Sequence, residues 1–182
     1  MMVSSWGIDS SWCLFLDRDG VINERIWDGY VLKYDQFIFR EGTLEALSKF
    51  KSTFKYIFVV TNQQCVGKGI ITFDQLNDIH TNMKNQIIQN EGIITDIFIA
   101  TELKNEPPHR RKPSIKMGLE AKKKYTEIDF SKSIMIGDTD SDIKFGKNLG
   151  MKTVRIKSME KEDILADVSV TDLENFVQLL MN

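Results

Sequence analysis

The sequence contains few cysteines and no long apolar run, and each absence argues against a class of protein. Its two cysteines, Cys13 and Cys65, fall in or near expected strands without paired spacing, which favours a reduced intracellular protein over a disulfide scaffold. No apolar stretch approaches the roughly 20 residues that a membrane span requires. Residues 1–12 carry neither the basic nor the apolar region of a signal peptide. We therefore expect a cytoplasmic protein with no membrane partner.

An excess of positive charge is also lacking. The chain has 24 Lys and Arg residues against 26 Asp and Glu residues, a formal charge of −2, which argues against nucleic acid as the main partner. Its 182 residues, 42% hydrophobic and 27% charged, are sufficient for one globular domain. Since neither a repeat nor an interdomain linker is evident, we expect a single domain over 1–182, of unknown oligomeric state.

Apolar runs alternate with amphipathic stretches along the whole chain. Strands are expected at 13–16, 56–60, 95–100, 133–136, 152–156 and 167–170. Helices are expected at 42–52, 72–92, 114–125 and 171–180, with a further helix that follows residue 142 and ends at 149. This alternation predicts an α/β fold with a doubly wound, mainly parallel sheet. The aromatic-rich segment 24–40 interrupts the pattern, and we expect it to form a small flap near the active site.

Several helix ends carry recognisable signals. Thr72 with Gln75 and Thr171 with Glu174 fit the capping-box pattern. Pro113 fits the first turn of a helix, and Gly150 fits the position just beyond a helix end. Within the helix that follows Thr72, His80 lies beside the apolar stripe and is expected to be a partly buried residue rather than a catalyst.

The first strand ends at two carboxylates, Asp17 and Asp19, followed by Gly20. In parallel sheets ligands bind beyond the carboxyl ends of the strands, and a glycine there lets the backbone turn and approach a ligand closely. Taken alone, the pattern is more often an ordinary turn. The two carboxylates repel one another unless a cation neutralises them or one is protonated, and either condition suits chemistry.

Three further strand ends carry polar side chains that could join this pair. They are Thr61 with Asn62, Arg111 with Lys112, and Asp138 with Asp142. Each alone is more often a turn, a solvated charge run or a helix cap. Because the carboxyl ends of neighbouring parallel strands meet at one edge of a sheet, the four sets are expected to converge.

Phosphoryl transfer accounts for the whole set. Asp17, Asp138 and the Asp19 backbone would hold Mg²⁺, which prefers oxygen ligands. Asp17 would attack phosphorus to give an aspartyl-phosphate, while Asp19 protonates the leaving oxygen and then activates water. Thr61 and Asn62 would donate to the phosphoryl oxygens. Lys112, with Arg111, would balance the charge of the transition state.

Four motifs, in this order, resemble those of the haloacid-dehalogenase-like phosphatases. They are DRDGVIN at 17–23, TNQ at 61–63, RKP at 111–113 and GDTDSD at 137–142, and the resemblance covers about 13–156. The first and third motifs are most similar to the subclass of heptose bisphosphate and histidinol-phosphate phosphatases. The segment DGYV at 28–31, with Phe37 and Phe39, favours the heptose side.

The resemblance implies a Mg²⁺-dependent hydrolase of a small phosphorylated substrate, such as a sugar phosphate. It implies the same roles for Asp17, Asp19, Lys112 and Asp138 as the chemistry above. Thr61 would contact the phosphate, and Asn23, from the first motif, becomes a further candidate for substrate binding. Asp142 would be a supporting carboxylate, near the metal or orienting Lys112. The additional acidic residue of the fourth motif, Asp140, is expected to face solvent.

This sequence departs from the family pattern in lacking the residues of a zinc-binding loop. These relatives commonly carry three cysteines and a histidine before the RKP motif, whereas residues 100–110 contain no cysteine and only His109. A structural zinc site needs about four nitrogen or sulfur ligands, so we expect none. The exact substrate and its anomer stay open, because that loop borders the mouth of the pocket. We expect His109 to be a surface residue.

Three alternatives stay open from the residues. Histidinol-phosphate phosphatases share the subclass, and polynucleotide 3′-phosphatases share similar motifs, although the lack of a basic patch argues against the latter. From another class, a receiver-like signalling domain also uses an aspartate, a hydroxyl, a lysine and Mg²⁺. It places the acidic pair and the phosphate acceptor on different strands, whereas here Asp17 and Asp19 share one strand end.

Overall fold

The apolar runs become the strands of one sheet, because each can bury side chains on both faces. The computed structural model describes residues 3–105 and 110–181. Its strands are β1 (Cys13–Leu16), β2 (Tyr56–Asn62), β3 (Asp96–Ala100), β4 (Ser133–Gly137), β5 (Lys152–Ile156) and β6 (Val168–Val170). All neighbouring strands pair in parallel in the order β3-β2-β1-β4-β5-β6. The predicted doubly wound α/β fold is confirmed.

Helices cover both faces of this sheet. They are α1 (Thr43–Thr53), α2 (Gln64–Gly67), α3 (Phe73–Gln89), α4 (Lys116–Lys124), α5 (Asp140–Leu149) and α6 (Leu173–Met181). Short 3₁₀ helices occur at Val3–Trp6, Tyr34–Gln36 and Phe130–Lys132. In the part of the chain that the structure describes, every helix falls short of the length and apolar character needed to cross a bilayer.

The alternation of side chains along β1 divides the core in two. Leu14 and Leu16 join a cluster with residues of α1, α3 and α6, whereas Phe15 packs in a second cluster with residues of α4 and α5. All four residues of β1 have no solvent exposure. A strand buried on both faces is a rigid support for the polar residues that follow it.

The position of β1 explains where the polar strand ends meet. β1 lies between β2 and β4, and the chain continues from β2 outward to β3 before it returns to β4 on the other side of β1. The direction of strand order therefore reverses beside β1. In open parallel sheets this reversal forms the crevice that binds ligands.

Some helix-end predictions are confirmed and others are wrong. The Thr72–Gln75 capping box is present, and Gly150, with φ +78°, follows α5. The pair Thr171–Glu174 does not cap α6, because Asp172 takes that place and accepts from the Asn175 N–H at 2.7 Å.

Two segments next to the motifs also differ from expectation. Pro113 stands in a turn, closed by a hydrogen bond from the Ser114 N–H to the Arg111 carbonyl, and α4 begins only at Lys116. The two glycines of the sequence VGKG at 66–69 predict a flexible loop, but this segment begins inside α2.

Segment 24–40 leaves and rejoins the sheet end within a few residues of Asp19. The Glu24 N–H donates to the Ile38 carbonyl at 2.7 Å, and the Arg40 N–H donates to the Ile22 carbonyl at 3.0 Å. Phe37 is buried in the core, whereas Trp27 is 44% exposed. The segment is thus tied down at its base and presents its first half to the crevice.

Candidate active site

A cavity of about 420 Å³ opens at the carboxyl ends of the strands. Its walls come from the end of β1, segment 24–40, the end of β2, Arg111 and the start of α5. The lining residues are Asp17, Asp19, Arg25, Ile26, Asp28, Gly29, Tyr30, Val31, Asn62, Gln64, Arg111, Thr139 and Ser141. This volume suits a small-molecule ligand, and the lining is rich in charge.

Lys112 lies at the centre of a buried ion cluster. Its Nζ lies 2.8 Å from Asp17 Oδ1 and 2.6 Å from Asp142 Oδ1, and it donates to the Val60 carbonyl at 2.6 Å. Asn62 Oδ1 accepts from the Lys112 backbone N–H at 2.9 Å, and so ties Lys112 to the end of β2. Burial lowers the pKa of Lys112, but Asp142 and Asp17 outweigh burial and raise it overall. The lysine is therefore a permanent cation beside Asp17.

Three carboxylates converge beside this cation. Oxygens of Asp17, Asp138 and Asp142 all lie within 4.8 Å of one another. Burial is the main cause that raises the pKa of Asp17 to about 7 and the pKa of Asp138 to about 6. Mutual repulsion adds to both shifts, which shows that this corner has more negative charge than Lys112 alone balances.

These three carboxylates have the features of a binding site for a hard cation. Asp138 Oδ1 is buried and has no hydrogen-bond partner among the described residues. Carboxylate oxygens at this spacing are the donors that Mg²⁺ prefers. Gly20 makes the corner compact, since a Cβ on this residue, whose φ is +86°, would overlap Asp138 Oδ2. The residues present therefore fit a divalent cation.

Asp19 has a different environment, although it lies only two residues from Asp17. Arg18 donates to both Asp19 oxygens, at 2.8 Å and 2.9 Å. Asn23 Nδ2 donates to Oδ1 at 2.9 Å, and Gln63 Nε2 donates to Oδ2 at 2.8 Å. Burial alone would raise the pKa of Asp19, but the Arg18 charge and these hydrogen bonds lower it overall. Neighbouring carboxyl groups are thus held with opposite pKa shifts.

Several known proteins similar to this chain are named as phosphatases. A heptose-1,7-bisphosphate 7-phosphatase of Mycobacterium bovis, named for the α anomer, is 35% identical over 144 residues, covering 76% of this chain and 73% of its own. A Helicobacter pylori enzyme named for the β anomer is 33% identical over 140 residues, covering 76% and 79%. A family model described as HAD-hydrolase-like matches residues 109–168.

The chain belongs to the haloacid-dehalogenase-like phosphatases.

A solved structure of this family shares the fold. The D,D-heptose 1,7-bisphosphate phosphatase of B. bronchiseptica, complexed with magnesium and phosphate, aligns with a TM-score of 0.83 and 22% identity, covering 93% of this chain and 98% of its own. Membership of the phosphatase family also argues against a receiver-like signalling domain, because the relatives are named as hydrolytic enzymes.

Most of the family residues expected from the sequence are brought together. Asp17, Asp19, Asn62 and Arg111 line the cavity, and Lys112, Asp138 and Asp142 cluster with Asp17 at its wall. Thr61 is 1% exposed, and its Oγ1 accepts from Gln63 Nε2 at 2.9 Å. This bond uses an acceptor site of the Thr61 hydroxyl and leaves its hydrogen to donate elsewhere.

Asn23 and Asp140 have contacts that the sequence did not predict. Asn23 has no solvent exposure, and its amide donates to Asp19 and to the Glu24 carbonyl at 2.8 Å, so its contacts hold the loop rather than face the cavity. Asp140 does not simply face solvent, because it pairs with Arg155 and accepts from the Asp163 N–H at 3.0 Å. His109 lies outside the described residues.

Gln63 and Arg25 are among the polar residues at the site that sequence reasoning missed. Gln63 joins Asp19 to Thr61, and its place inside the TNQ motif was a signal that could have found it. Arg25 Nη1 donates to Asp138 Oδ2 at 3.1 Å, its Nη2 pairs with Glu160 at 2.7 Å, and its guanidinium stacks over Trp27. No local pattern identifies Arg25, since Asp138 lies 113 positions away.

Proposed function

We propose that this phosphatase hydrolyses D-glycero-D-manno-heptose 1,7-bisphosphate at the 7-phosphate, with Asp17 as the nucleophile. The observation that carries the mechanism is the Asp17 carboxylate on the cavity wall, 2.8 Å from the buried Lys112 cation. A nucleophile and a fixed cation side by side are what transfer of a phosphoryl group requires.

In the first step Asp17 attacks phosphorus and the bond to the leaving sugar oxygen breaks. The leaving oxygen takes a proton from Asp19; because Arg18 lowers the pKa of Asp19, this step draws on the minor, protonated fraction of that carboxyl group. Lys112 and Arg111 balance the charge of the phosphoryl oxygens, and the hydroxyl of Thr61, whose oxygen already accepts from Gln63, is free to donate to one of them. The step leaves an aspartyl-phosphate on Asp17.

In the second step water attacks the phosphorus of the aspartyl-phosphate and regenerates Asp17. Asp19, now ionised, accepts the proton of that water. Its three donors, Arg18, Asn23 and Gln63, stabilise the ionised form and fix the direction of its oxygens. We infer that Asn23 acts here by positioning Asp19, in place of the direct substrate contact expected from the motif.

We also propose that the cofactor is Mg²⁺, held by Asp17, Asp138 and the Asp19 backbone, with Asp142 adjoining. When bound, the ion would supply positive charge that offsets repulsion between Asp17 and an incoming phosphate. Arg25, which contacts Asp138, supplies part of the positive charge on the flap side. The absence of zinc stays a prediction, as does a cytoplasmic location.

The substrate assignment is supported by the names of the relatives and by the charge of the cavity. A bisphosphate carries more negative charge than Lys112 alone can balance, so further cationic side chains in the cavity are needed. Arg25 and Arg111 line the cavity, and burial lowers the pKa of Arg111 without removing its charge at neutral pH. The relatives include enzymes named for each anomer, so both anomers belong in the test.

A substrate panel tests the proposal. Purified protein with Mg²⁺ is incubated with both anomers of the heptose bisphosphate, histidinol phosphate and a 3′-phosphorylated oligonucleotide. Phosphate release gives kcat/KM, and ³¹P NMR identifies the phosphate that remains. We expect the 7-phosphate to leave, EDTA to stop the reaction, and the Asp17→Asn protein to give the background.

Preference for histidinol phosphate or for the oligonucleotide would contradict the substrate assignment but leave the phosphatase mechanism in place. Full activity in EDTA would contradict the metal assignment. These outcomes also separate the small-molecule partner from nucleic acid.

A further inference from the structure

The carboxylate of Asp19 is contacted by the buried guanidinium of Arg18. Arg18 is 0% exposed, and it donates to the two oxygens of Asp19 through Nη2, with a longer contact from Nε at 3.3 Å. A planar guanidinium that donates to a carboxylate in this way fixes the carboxylate plane as well as its charge. The orientation of Asp19, which Asn23 and Gln63 also help to fix, therefore depends in part on whatever holds Arg18.

The remaining nitrogen of Arg18 is held by a residue from another element. Arg18 Nη1 lies 3.1 Å from Nε2 of His80, which belongs to α3 and is 4% exposed. Arginine can only donate, so Nε2 accepts and the proton of the neutral imidazole lies on Nδ1. Burial lowers the pKa of His80 to about 3, with the Arg18 charge adding to that shift, in agreement with a neutral ring.

We propose that His80 is a positioning residue for Asp19, acting through Arg18. The inference rests on the acid and base roles proposed above for Asp19. His80 supplies the acceptor on the side of Arg18 opposite the carboxylate, so the guanidinium is fixed from both sides and cannot rotate about its long side chain. Without that acceptor a buried N–H loses its partner, and Arg18 can reorient to recover one.

Two substitutions at residue 80 distinguish the effect of losing the hydrogen-bond acceptor from the effect of losing the volume of the ring. His80→Gln places an amide oxygen at a reach similar to Nε2, whereas His80→Leu fills space without an acceptor. If His80→Leu does not fold, His80→Asn serves instead, because its shorter amide falls short of Arg18. Ile79→Val, in the buried stripe of the same helix, is the matched control for packing loss.

The readout is the dependence of kcat/KM on the leaving group. Proton donation by Asp19 matters for an alkyl phosphate, whose leaving oxygen is strongly basic, and much less for p-nitrophenyl phosphate. We expect His80→Leu or His80→Asn to lose about 10²-fold in kcat/KM on the alkyl phosphate, within the range of general acid catalysis. Their loss on the aryl phosphate should be only about threefold, by the same reasoning. His80→Gln should recover most of the difference, and Ile79→Val should show none.

Asp19→Asn is measured in the same series to separate the inference from the proposed function. If Asp19→Asn loses activity on both esters equally, the acid role of Asp19 is wrong and the inference about His80 falls with it. If Asp19→Asn discriminates between the esters but the residue 80 variants do not, or if His80→Gln is as impaired as His80→Leu, the inference about His80 alone is overturned.

Discussion

Two carboxyl groups of the candidate active site hold a proton more tightly than an ordinary aspartate. Burial raises the pKa of Asp17 to about 7 and that of Asp138 to about 6, with nearby negative charges adding to both shifts. A metal ligand must be ionised, so protons compete with Mg²⁺ below these pKa values. The competition is weak above pH 7 and grows as the pH falls.

Mg²⁺ affinity should consequently weaken by roughly 10- to 100-fold between pH 7 and pH 5.5. Isothermal titration calorimetry in buffers of different ionisation enthalpy measures both the affinity and the protons released. Proton release on binding is expected near pH 6. An affinity that stays constant over this range would show that Asp17 and Asp138 are already ionised and that burial has not shifted them.

The absence of a side chain at Gly20 leaves room for the carboxylate of Asp138. A methyl group at Gly20 would overlap the Asp138 carboxylate, whereas at Gly7, which also has a positive φ of +64°, nothing lies within 4 Å. Both Gly20→Ala and Gly7→Ala introduce the same kind of backbone strain, roughly 1–2 kcal/mol.

Only Gly20→Ala should displace a metal ligand. We expect its Mg²⁺ affinity to fall at least about tenfold, since second-layer changes at metal sites have effects of that size. Gly7→Ala should bind Mg²⁺ like the parent protein. Equal Mg²⁺ affinity in the two variants, measured by calorimetry at pH 8, would rule out the close approach of Gly20 to Asp138.

Among the helices, α6 shows how a cap is chosen between adjacent candidates. Asp172 Oδ1 accepts from the Asn175 N–H at 2.7 Å, and the Thr171 hydroxyl donates to Asp172 Oδ2 at 2.8 Å. The pattern T-x-x-E had predicted a capping box that starts one residue earlier, at Thr171. The choice depends on where the backbone turns from β6 into α6.

Asp172→Ala should therefore cost about 1 kcal/mol in the free energy of unfolding, as loss of a helix cap usually does. Thr171→Ala, its neighbour, should cost clearly less. Urea unfolding followed by far-ultraviolet circular dichroism compares the two. A larger loss for Thr171→Ala would restore the capping box that the sequence suggested.

Over the whole molecule, the sequence was informative about strands and motifs. β1, β2 and β4 are continuous apolar runs buried on both faces, so their existence and the polar residues at their ends followed from local patterns. The parallel sheet then required those ends to meet. This is why Asp17, Lys112 and Asp138 could be grouped from the sequence alone.

Contacts between distant side chains could not be predicted in this way. Arg18 and His80 lie 62 positions apart, and Arg25 and Asp138 lie 113 apart. Such pairs depend on the angle at which a helix or a flap packs on the sheet, which hydrophobic periodicity does not specify. Asp140 was misjudged for the same reason, since its partner Arg155 comes from the next strand.

The buried cluster around Lys112 connects three chain segments, so its loss should lower the free energy of unfolding of the whole domain. Lys112→Met leaves Asp17 and Asp142 without their cation, and breaking a buried ion pair from one side costs about 3–5 kcal/mol. Mg²⁺ should recover part of this loss by supplying charge. Lys124→Met, which removes an exposed ion pair with Asp96, is the control and should change little.

Urea unfolding at pH 8, in EDTA and in Mg²⁺, measures these stabilities. If Lys112→Met and Lys124→Met are equally stable in EDTA, the carboxylates around Lys112 do not depend on its charge.

The nucleophilic role of Asp17 is tested most directly by a burst experiment with Asp19→Asn. With p-nitrophenyl phosphate, whose leaving group needs little proton donation, this variant should still phosphorylate Asp17 but hydrolyse the aspartyl-phosphate slowly. We expect a rapid release of about one equivalent of nitrophenol per enzyme, followed by a slow phase, as accumulation of a covalent intermediate requires. The double variant with Asp17→Asn should show no burst. A burst of the same size in that double variant would contradict the assignment of Asp17 as the nucleophile.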